Sequence, residues 1–190
     1  MAILRKSKLI KDYESSQSNI LEKSAEKKWA GETLKKVFDS FSHDENYDIF
    51  LSHSYQDARI VKHIRDMLVA KNYKVYVDWL EDKHLERGEV TGHTATVLRN
   101  RMNRCGSLIY LTSSAAEASV WMPWELGYMD AKTGRVAVAP ILEDDEDEEF
   151  AGREYLGIYP YLDLSGDSFF IQRSKDKYID FPRWMAGENP

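Results

Sequence analysis

The chain has 190 residues, 43% of them hydrophobic and 31% charged, which is the size and composition of one folded globular domain. Its single cysteine, Cys105, excludes an internal disulfide and a multi-thiolate metal site, and it indicates a reducing compartment. The longest apolar run, Val136–Leu142, is far shorter than the roughly 20 residues of a transmembrane helix. The N-terminus lacks the apolar stretch of a secretory signal. We therefore expect a soluble, cytoplasmic protein.

The net charge of −6 is concentrated in one acidic run, Glu143–Glu149, which reads EDDEDEE. Without this run the remaining charges nearly cancel. A block of like charges stays solvated, so the run predicts an exposed loop, and it lacks the glycine-punctuated spacing of a calcium-binding loop. The rest of the chain contains no basic patch that would indicate a nucleic-acid partner.

Residues 1–45 differ in composition from the rest and contain no strand-like run. Four apolar residues recur at the spacing of one helical face: Leu34, Val37, Phe38 and Phe41. We interpret residues 1–45 as a helical extension that packs on the domain or on a partner, and that regulates or assembles rather than lining a pocket. A chain that begins near His43 is then expected to fold.

From Tyr47 onward, apolar strands alternate with helices. The predicted strands are Asp48–Ser52, Tyr73–Asp78, Leu108–Thr112 and Val136–Leu142. The first helix is capped by Ser54, with Asp57 completing an approximate capping box, and it buries Ile60, Val61, Ile64, Met67 and Leu68. The second starts near Gly92 and places Ala95, Leu98, Met102 and Cys105 on one face. The third starts at Pro123 and ends at Gly134.

The C-terminal third continues this pattern less clearly. Tyr155–Leu162 could form a fifth strand, which Pro160 restricts to the edge of a sheet. The tail, Phe169–Pro190, contains aromatic residues that should fold back onto the body of the domain: Phe170, Tyr178, Phe181 and Trp184. Residues 46–190 are therefore interpreted as one domain with an aromatic tail.

The alternation of strands and helices predicts a doubly wound parallel α/β sheet of about five strands, covered on both faces. In such sheets ligands bind beyond the carboxyl ends of the strands, where the strand order reverses. For a flavodoxin-like order, that crevice lies between His53–Gln56 and Ser113–Trp124.

Several chemistries are excluded by what the sequence lacks. It contains no glycine-rich phosphate loop and no GxSxG elbow. The five histidines show no metal-ligand spacing, so no metal site is predicted. Cys105, on the buried helix face, is interpreted as a core residue rather than a nucleophile.

The segment Trp121–Gly127, WMPWELG, combines two tryptophans with one carboxylate. Glu125 should lie in the first turn of its helix, where the macrodipole favours the ionised form. Either Glu125 is functional, or it is only a helix-start carboxylate beside core tryptophans. The spacing alone supports both interpretations equally.

Three separated runs resemble the Toll/interleukin-1 receptor (TIR) domain of the bacterial type: YDIFLSHSYQDARIVKHIRDML, YKVYVDW and SLIYLTSSAAEASVWMPWELGY. The resemblance covers Asn46–Leu142. It implies an enzyme that cleaves the nicotinamide–ribose bond of NAD, with the catalytic glutamate in a W-x-x-x-E segment that Trp121 and Glu125 match.

The resemblance also implies substrate-binding residues. Ser52, His53 and Ser54 correspond to the pocket loop after the first strand, and Trp121 and Trp79 are further candidates. Trp79–Val90 corresponds to the mobile loop after the second strand. It reads LEDKHLERG where receptor-type domains have an Arg-Asp…Pro-Gly signature, so adaptor contacts of the receptor type are not implied.

The implied chemistry requires no cofactor, because NAD is the substrate and nicotinamide leaves as a neutral molecule. The products would be nicotinamide and ADP-ribose, or a cyclised isomer used as a signal in immunity. The resemblance further implies assembly with other TIR domains, and the product could act on a downstream effector. Two alternatives stay open: a non-catalytic TIR scaffold, and a nucleoside-cleaving transferase with a similar sheet.

Overall fold

The computed structural model of the chain describes residues 4–24, 45–81, 91–113, 116, 118–143, 154–174 and 176–190. Its strands are β1 Leu4–Arg5, β2 Tyr47–Ser52, β3 Val75–Tyr76, β4 Cys105–Thr112, β5 Val136–Leu142, β6 Tyr161–Ser165, β7 Ser168–Ser174 and β8 Lys177–Asp180. Its α-helices are α1 Lys6–Ser24, α2 Ala58–Ala70, α3 Asp78–Glu81, α4 Gly92–Asn103, α5 Trp121–Thr133 and α6 Phe181–Met185. Short 3₁₀ helices span Tyr55–Asp57 and Glu154–Ile158.

The strands form one sheet in the order β3-β2-β4-β5-β6-β7-β8, and β1 pairs with β5 outside this path. The pairs from β3 to β6 are parallel, whereas β6, β7 and β8 are antiparallel. The first five strands of this path have the predicted flavodoxin-like order. The chain leaves β2 for β3 on one side and returns to β4 on the other, so the order reverses at β2 and a crevice opens there.

The central strands are buried on both faces because helices cover both sides of the sheet. In β2, Ile49 and Leu51 face one apolar cluster, while Phe50 faces the other. The first cluster includes Ile64 of α2 and Trp184 of α6. The second includes core residues of α4 and α5: Leu98, Met102, Met122, Leu126 and Met129. The period of two in the strands therefore divides the core into two layers.

The N-terminal segment joins this core, so the expectation that it contains no strand is wrong. Leu4 and Arg5 pair in parallel with Ile141 and Leu142 of β5, and α1 packs on α2. Leu9 is buried in the first apolar cluster. A two-residue strand is too short to show a periodic pattern, which explains why the sequence did not reveal it. The proposed apolar face at residues 34–41 lies outside the described residues.

The second predicted strand is shorter than expected, because α3 begins at Asp78. Cys105 is not on a helix, since α4 ends at Asn103 and Cys105 begins β4. The thiol is buried, and burial raises its pKa to about 12. A thiol with this pKa stays protonated and is a poor nucleophile, so its interpretation as a core residue is confirmed.

Three C-terminal expectations also need correction. The fifth strand begins after Pro160, and it lies inside the sheet between β5 and β7 rather than at an edge. Pro160 is tolerated because it precedes the strand, where its missing N–H is not needed, and its carbonyl still accepts a hydrogen bond from the Val138 N–H at 2.9 Å. The tail folds back as expected, but as two further strands and α6. Of its predicted anchors Phe181 and Trp184 are buried, while Tyr178 is exposed.

Helix α5 begins at Trp121, two residues before the predicted start, and it ends at Gly134 as predicted. Gly134 has φ +58°, a left-handed conformation that favours glycine, and its N–H bonds the Asp130 carbonyl at 2.9 Å. Of the acidic run only Glu143 is described, and it contacts Arg5 and Lys6. Within the described ranges no helix has both the length and the apolar character needed to cross a membrane.

Candidate active site

A buried serine–glutamate pair lies at the carboxyl edge of the sheet, where the strand order reverses. Ser52 is the last residue of β2, and Glu125 lies on α5. The Ser52 Oγ donates a hydrogen bond to Glu125 Oε2 at 2.6 Å, and both residues are 0% exposed. This distance lies within the range of O–H···O hydrogen bonds. The fold thus brings together two of the predicted site residues.

Glu125 lies in the second turn of its helix, not in the first as predicted, because α5 starts four residues earlier at Trp121. The orphan N–H groups of the first turn therefore do not explain how its charge is stabilised. The hydrogen bond from Ser52 offsets part of the cost of burying the carboxylate. A carboxylate with so little water around it interacts strongly with any positive charge that develops nearby.

Trp121 precedes Glu125 by one helical turn, so the two side chains lie on the same face of α5. Trp121 is buried and belongs to the apolar cluster on that side of the sheet. Its ring centroid lies 5.6 Å from that of Trp124 in an edge-to-face arrangement, and Trp124 in turn lies 5.9 Å from Tyr128. Trp121 is therefore a core residue, as the second interpretation held, and the half-buried Trp124 packs against the same cluster.

His53 is buried and uses both ring nitrogens within the protein. Its Nδ1 lies 2.7 Å from the Leu51 carbonyl oxygen, and its Nε2 lies 2.9 Å from the indole Nε1 of the half-buried Trp79. A carbonyl oxygen only accepts and an indole N–H only donates, so both contacts are hydrogen bonds when Nδ1 donates and Nε2 accepts. The predicted residues His53 and Trp79 are thus brought together, and they connect β2 to α3.

Ser54 is half-buried and begins the 3₁₀ helix, where its Oγ accepts a long 3.4 Å hydrogen bond from the Gln56 N–H. Its predicted capping-box partner, Asp57, does not cap the helix. The Asp57 carboxylate instead accepts a hydrogen bond from the Ser113 Oγ at 2.6 Å. The predicted capping box is therefore wrong for Asp57, because its carboxylate bonds Ser113 in the neighbouring loop and not a backbone group of its own helix.

The sequence reasoning missed three polar residues at this edge. Asp57 and Ser113 join the loop after β2 to the loop after β4, and Ser113 Oγ also accepts from the Ala116 N–H at 3.2 Å. Asp78 is buried, with its Oδ1 3.4 Å from His53 Nε2. Their common signal is a polar residue in or beside a loop that follows an apolar strand, at the edge where ligands bind.

The described part of the predicted mobile loop, Trp79–Glu81, is helical, and residues 82–90 lie outside the described ranges. Among the residues that the structure describes, no three His, Cys, Asp or Glu side chains are grouped as a metal ion would require. What the site presents is a buried carboxylate, a hydroxyl fixed on it and aromatic side chains nearby. This set can stabilise a cation and bind a flat ring.

Comparison with known proteins identifies a family and two relatives. The profile of the family described as TIR domain matches residues 49–177. A Bacillus cereus (strain MSX-D12) protein named "Probable 3' cyclic ADP-D-ribose synthase ThsB'" is 38% identical over 167 residues, which cover 85% of this chain and 86% of that protein. A Cytobacillus dafuensis protein named "Putative cyclic ADP-D-ribose synthase TIR2" is 29% identical over 104 residues, 54% of this chain and 27% of that protein.

The matched region begins within β2 and contains β4, together with Ser52 and Glu125. The profile extends over more than half of the chain, and the Bacillus cereus relative over most of it. The strand order is the one that the sequence pattern predicted. On these grounds the chain belongs to the TIR domain family.

Proposed function

We propose that this chain cleaves the nicotinamide–ribose bond of NAD and forms a cyclic ADP-ribose. The observation that carries the proposal is the buried Glu125 with the Ser52 hydroxyl on its carboxylate, at the edge of the sheet where ligands bind. The names of the two relatives, both cyclic ADP-D-ribose synthases, support the substrate and the product class.

The chemistry suits a single carboxylate. Nicotinamide carries a positive charge while it is bonded to ribose and leaves as a neutral ring, so no general acid is needed. As the bond breaks, positive charge develops on the ribose carbon and its ring oxygen, as in other glycosidic cleavages. A negative charge fixed beside that carbon stabilises the transition state more than the ground state. Glu125 is the catalytic residue in this proposal.

Cyclisation differs from hydrolysis in the nucleophile that attacks the ribose carbon. In hydrolysis it is water, and in cyclisation it is a nucleophilic atom on another part of the same ADP-ribose. Exclusion of water from the site favours cyclisation, because water would otherwise compete for the cationic carbon. The names of the two relatives support the cyclic product.

Other residues at this edge are proposed to bind the substrate. Trp121 and the half-buried Trp79 offer aromatic surface for the flat rings of NAD, and Ser54 offers a hydroxyl for its ribose or phosphate groups. Ser52 both orients Glu125 and borders the ribose. His53 contributes to the site through the position of its loop, because both of its ring nitrogens already bond other groups of the protein. No metal or organic cofactor takes part in the proposed reaction.

The first experiment is incubation of the protein with NAD, followed by mass spectrometry of the products. We expect free nicotinamide and a compound with the mass of ADP-ribose minus water. Hydrolysis alone would give the full mass of ADP-ribose and would correct the product. Nucleosides tested in parallel should remain intact, and their cleavage would favour the transferase alternative. An inert wild-type protein at all concentrations would favour the scaffold.

A second prediction concerns assembly. We propose that copies of the domain associate, with Trp79–Val90 at the contact, and that the cyclic product signals to an effector in an immune response in the cytoplasm. Specific activity should then rise with protein concentration, because the associated state is the active one. The measurement is initial rate per molecule from nanomolar to tens of micromolar protein, with and without a crowding agent. A constant rate per molecule over that range would contradict this assembly.

A further inference from the structure

The imidazole of His53 closes a small ring around Ser52. Its Nδ1–H donates to the Leu51 carbonyl at 2.7 Å, so the bond spans the backbone of the serine between them. The ring that this bond completes contains the backbone N, Cα and C atoms of Ser52. The bond adds to the restraint that pairing with Tyr110 of β4 places on the serine backbone, which carries the Oγ that donates to Glu125.

The imidazole is fixed at its other end as well. Trp79 Nε1–H donates to His53 Nε2 at 2.9 Å, and the backbone N–H of Trp79 bonds the Asp78 carboxylate at 2.8 Å. Flipping the ring by 180° would place carbon atoms at both positions and lose both bonds. In this buried place no water would replace them, so the cost of an unpaired donor or acceptor opposes the flip. The start of α3 thus fixes the orientation of the histidine ring.

We infer that His53 is a positioning residue, which acts through Ser52 to hold the serine hydroxyl on the catalytic carboxylate. Hydrogen bonds run from Trp79 through His53 to the Leu51 carbonyl. The next residue in the chain, Ser52, donates a further hydrogen bond to Glu125 Oε2. His53 is 4% exposed and has no ring nitrogen available for the substrate. It therefore affects the rate without touching NAD. The kinetic part of this inference rests on the proposed NAD cleavage.

Replacing His53 by two different amide side chains tests its two hydrogen bonds one at a time. In His53→Asn the amide nitrogen reaches the position of Nδ1 and can still donate to the Leu51 carbonyl. In His53→Gln the amide oxygen reaches the position of Nε2 and can still accept from Trp79, but the bond around Ser52 is lost. The two variants are nearly matched in polarity and size, so they test which bond matters.

We expect His53→Asn to lower kcat by less than about 10-fold, and His53→Gln to lower it by about 10-fold more, because small misplacements of a reacting group have large effects. KM for NAD should change by less than about 3-fold in both variants, since neither removes a substrate contact. Equal kcat values in the two variants, or an effect mainly on KM, would overturn the inference.

A double-mutant cycle tests whether His53 acts through the serine. Residues that act through one another are non-additive. In a Ser52→Ala background, His53→Gln should therefore have little further effect on kcat. If the fold-losses in kcat of the two single variants instead multiply in the double variant, His53 acts independently of Ser52, and the inference is overturned.

A structural readout does not depend on activity. Crystal structures of the variants should keep the Ser52 Oγ–Glu125 Oε2 distance near 2.6 Å in His53→Asn and lengthen it beyond hydrogen-bond range in His53→Gln. An unchanged distance in His53→Gln would overturn the inference even if the protein cleaves NAD. An inert wild-type protein would instead overturn the proposed function, and the distances would still decide the role of His53.

His53 is buried, so melting curves should accompany each variant. If His53→Gln does not fold, His53→Leu tests the same bond, because it keeps a buried side chain of similar size but removes the donor to the Leu51 carbonyl. The Ser52–Glu125 distance should lengthen in this variant too. A distance that stays at the wild-type value would show that the serine is held without the histidine, and it would overturn the inference.

Discussion

Glu125→Gln should lower the rate of NAD cleavage by at least about 10²-fold, the usual loss when one preorganised electrostatic contact is removed from an active site. Glutamine has nearly the same size and can still accept the hydrogen bond from Ser52. It lacks the negative charge, which is the property that stabilises the cationic ribose. The measurement is kcat/KM for NAD, made at a protein concentration where the wild type is fully active.

The same substitution should affect stability little, for a different reason than the sequence suggested. The expectation was a helix-start carboxylate with a modest dipole effect, whereas Glu125 is fully buried in the second turn. Removing a buried charge lowers its desolvation penalty, so the loss of the ionic hydrogen bond is partly offset. The variant should melt within a few degrees of the wild type or slightly above it.

Asp130→Asn is the matched control, since Asp130 lies on the same helix but is exposed, and its side chain accepts a hydrogen bond from the Tyr159 hydroxyl rather than from the site. It should keep wild-type kcat/KM. Wild-type activity in Glu125→Gln would remove the glutamate from the mechanism. If wild type and variant were both inert under conditions that promote assembly, NAD would not be the substrate.

Those parts of the fold that have long periodic or apolar signals could be predicted from the sequence. Strand β5 matches its prediction residue for residue, and the predicted face of α2 is buried except for Met67, which is half-buried against the same cluster. The predictions fail where the signal is short or ambiguous. β1 and β3 contain two residues each, and β3 was extended into a segment that is helical. The antiparallel hairpin of β7 and β8 was interpreted only as a tail because its aromatic residues dominate the pattern.

The candidate site was predictable to a similar extent. Spacing alone left Glu125 undecided, and the family resemblance paired it with the loop that contains Ser52. The contact between Asp57 and Ser113 joins residues that are 56 positions apart, so no local pattern could have shown it. The same holds for the bond between Trp79 and His53, 26 positions apart. Long-range side-chain pairs of this kind depend on how the loops after β2, β3 and β4 pack together.

A chain that begins at His43 should be strongly destabilised, contrary to the expectation from the sequence. The deletion removes β1 and α1, and with them Leu4 and Leu9, each 2% exposed in the core. It also exposes the edge of β5 at Ile141 and Leu142, where β1 pairs. Loss of one buried leucine side chain costs about 2–5 kcal/mol, against a total stability of roughly 5–15 kcal/mol. We expect circular dichroism to show a largely unfolded or sharply less stable truncated chain.

Leu9→Ala tests the same contact without deleting residues 25–42, whose structure is not described. A loss of about 2–5 kcal/mol in a protein of this size should lower Tm by about 4–20 °C. Lys8→Ala, one position away on the exposed side of α1, should change Tm by no more than about 2 °C. The contrast arises because Leu9 fills space in the core, whereas Lys8 points into solvent. A truncated chain as stable as the full one, together with an unaffected Leu9→Ala, would show that the N-terminal segment is a separable extension after all.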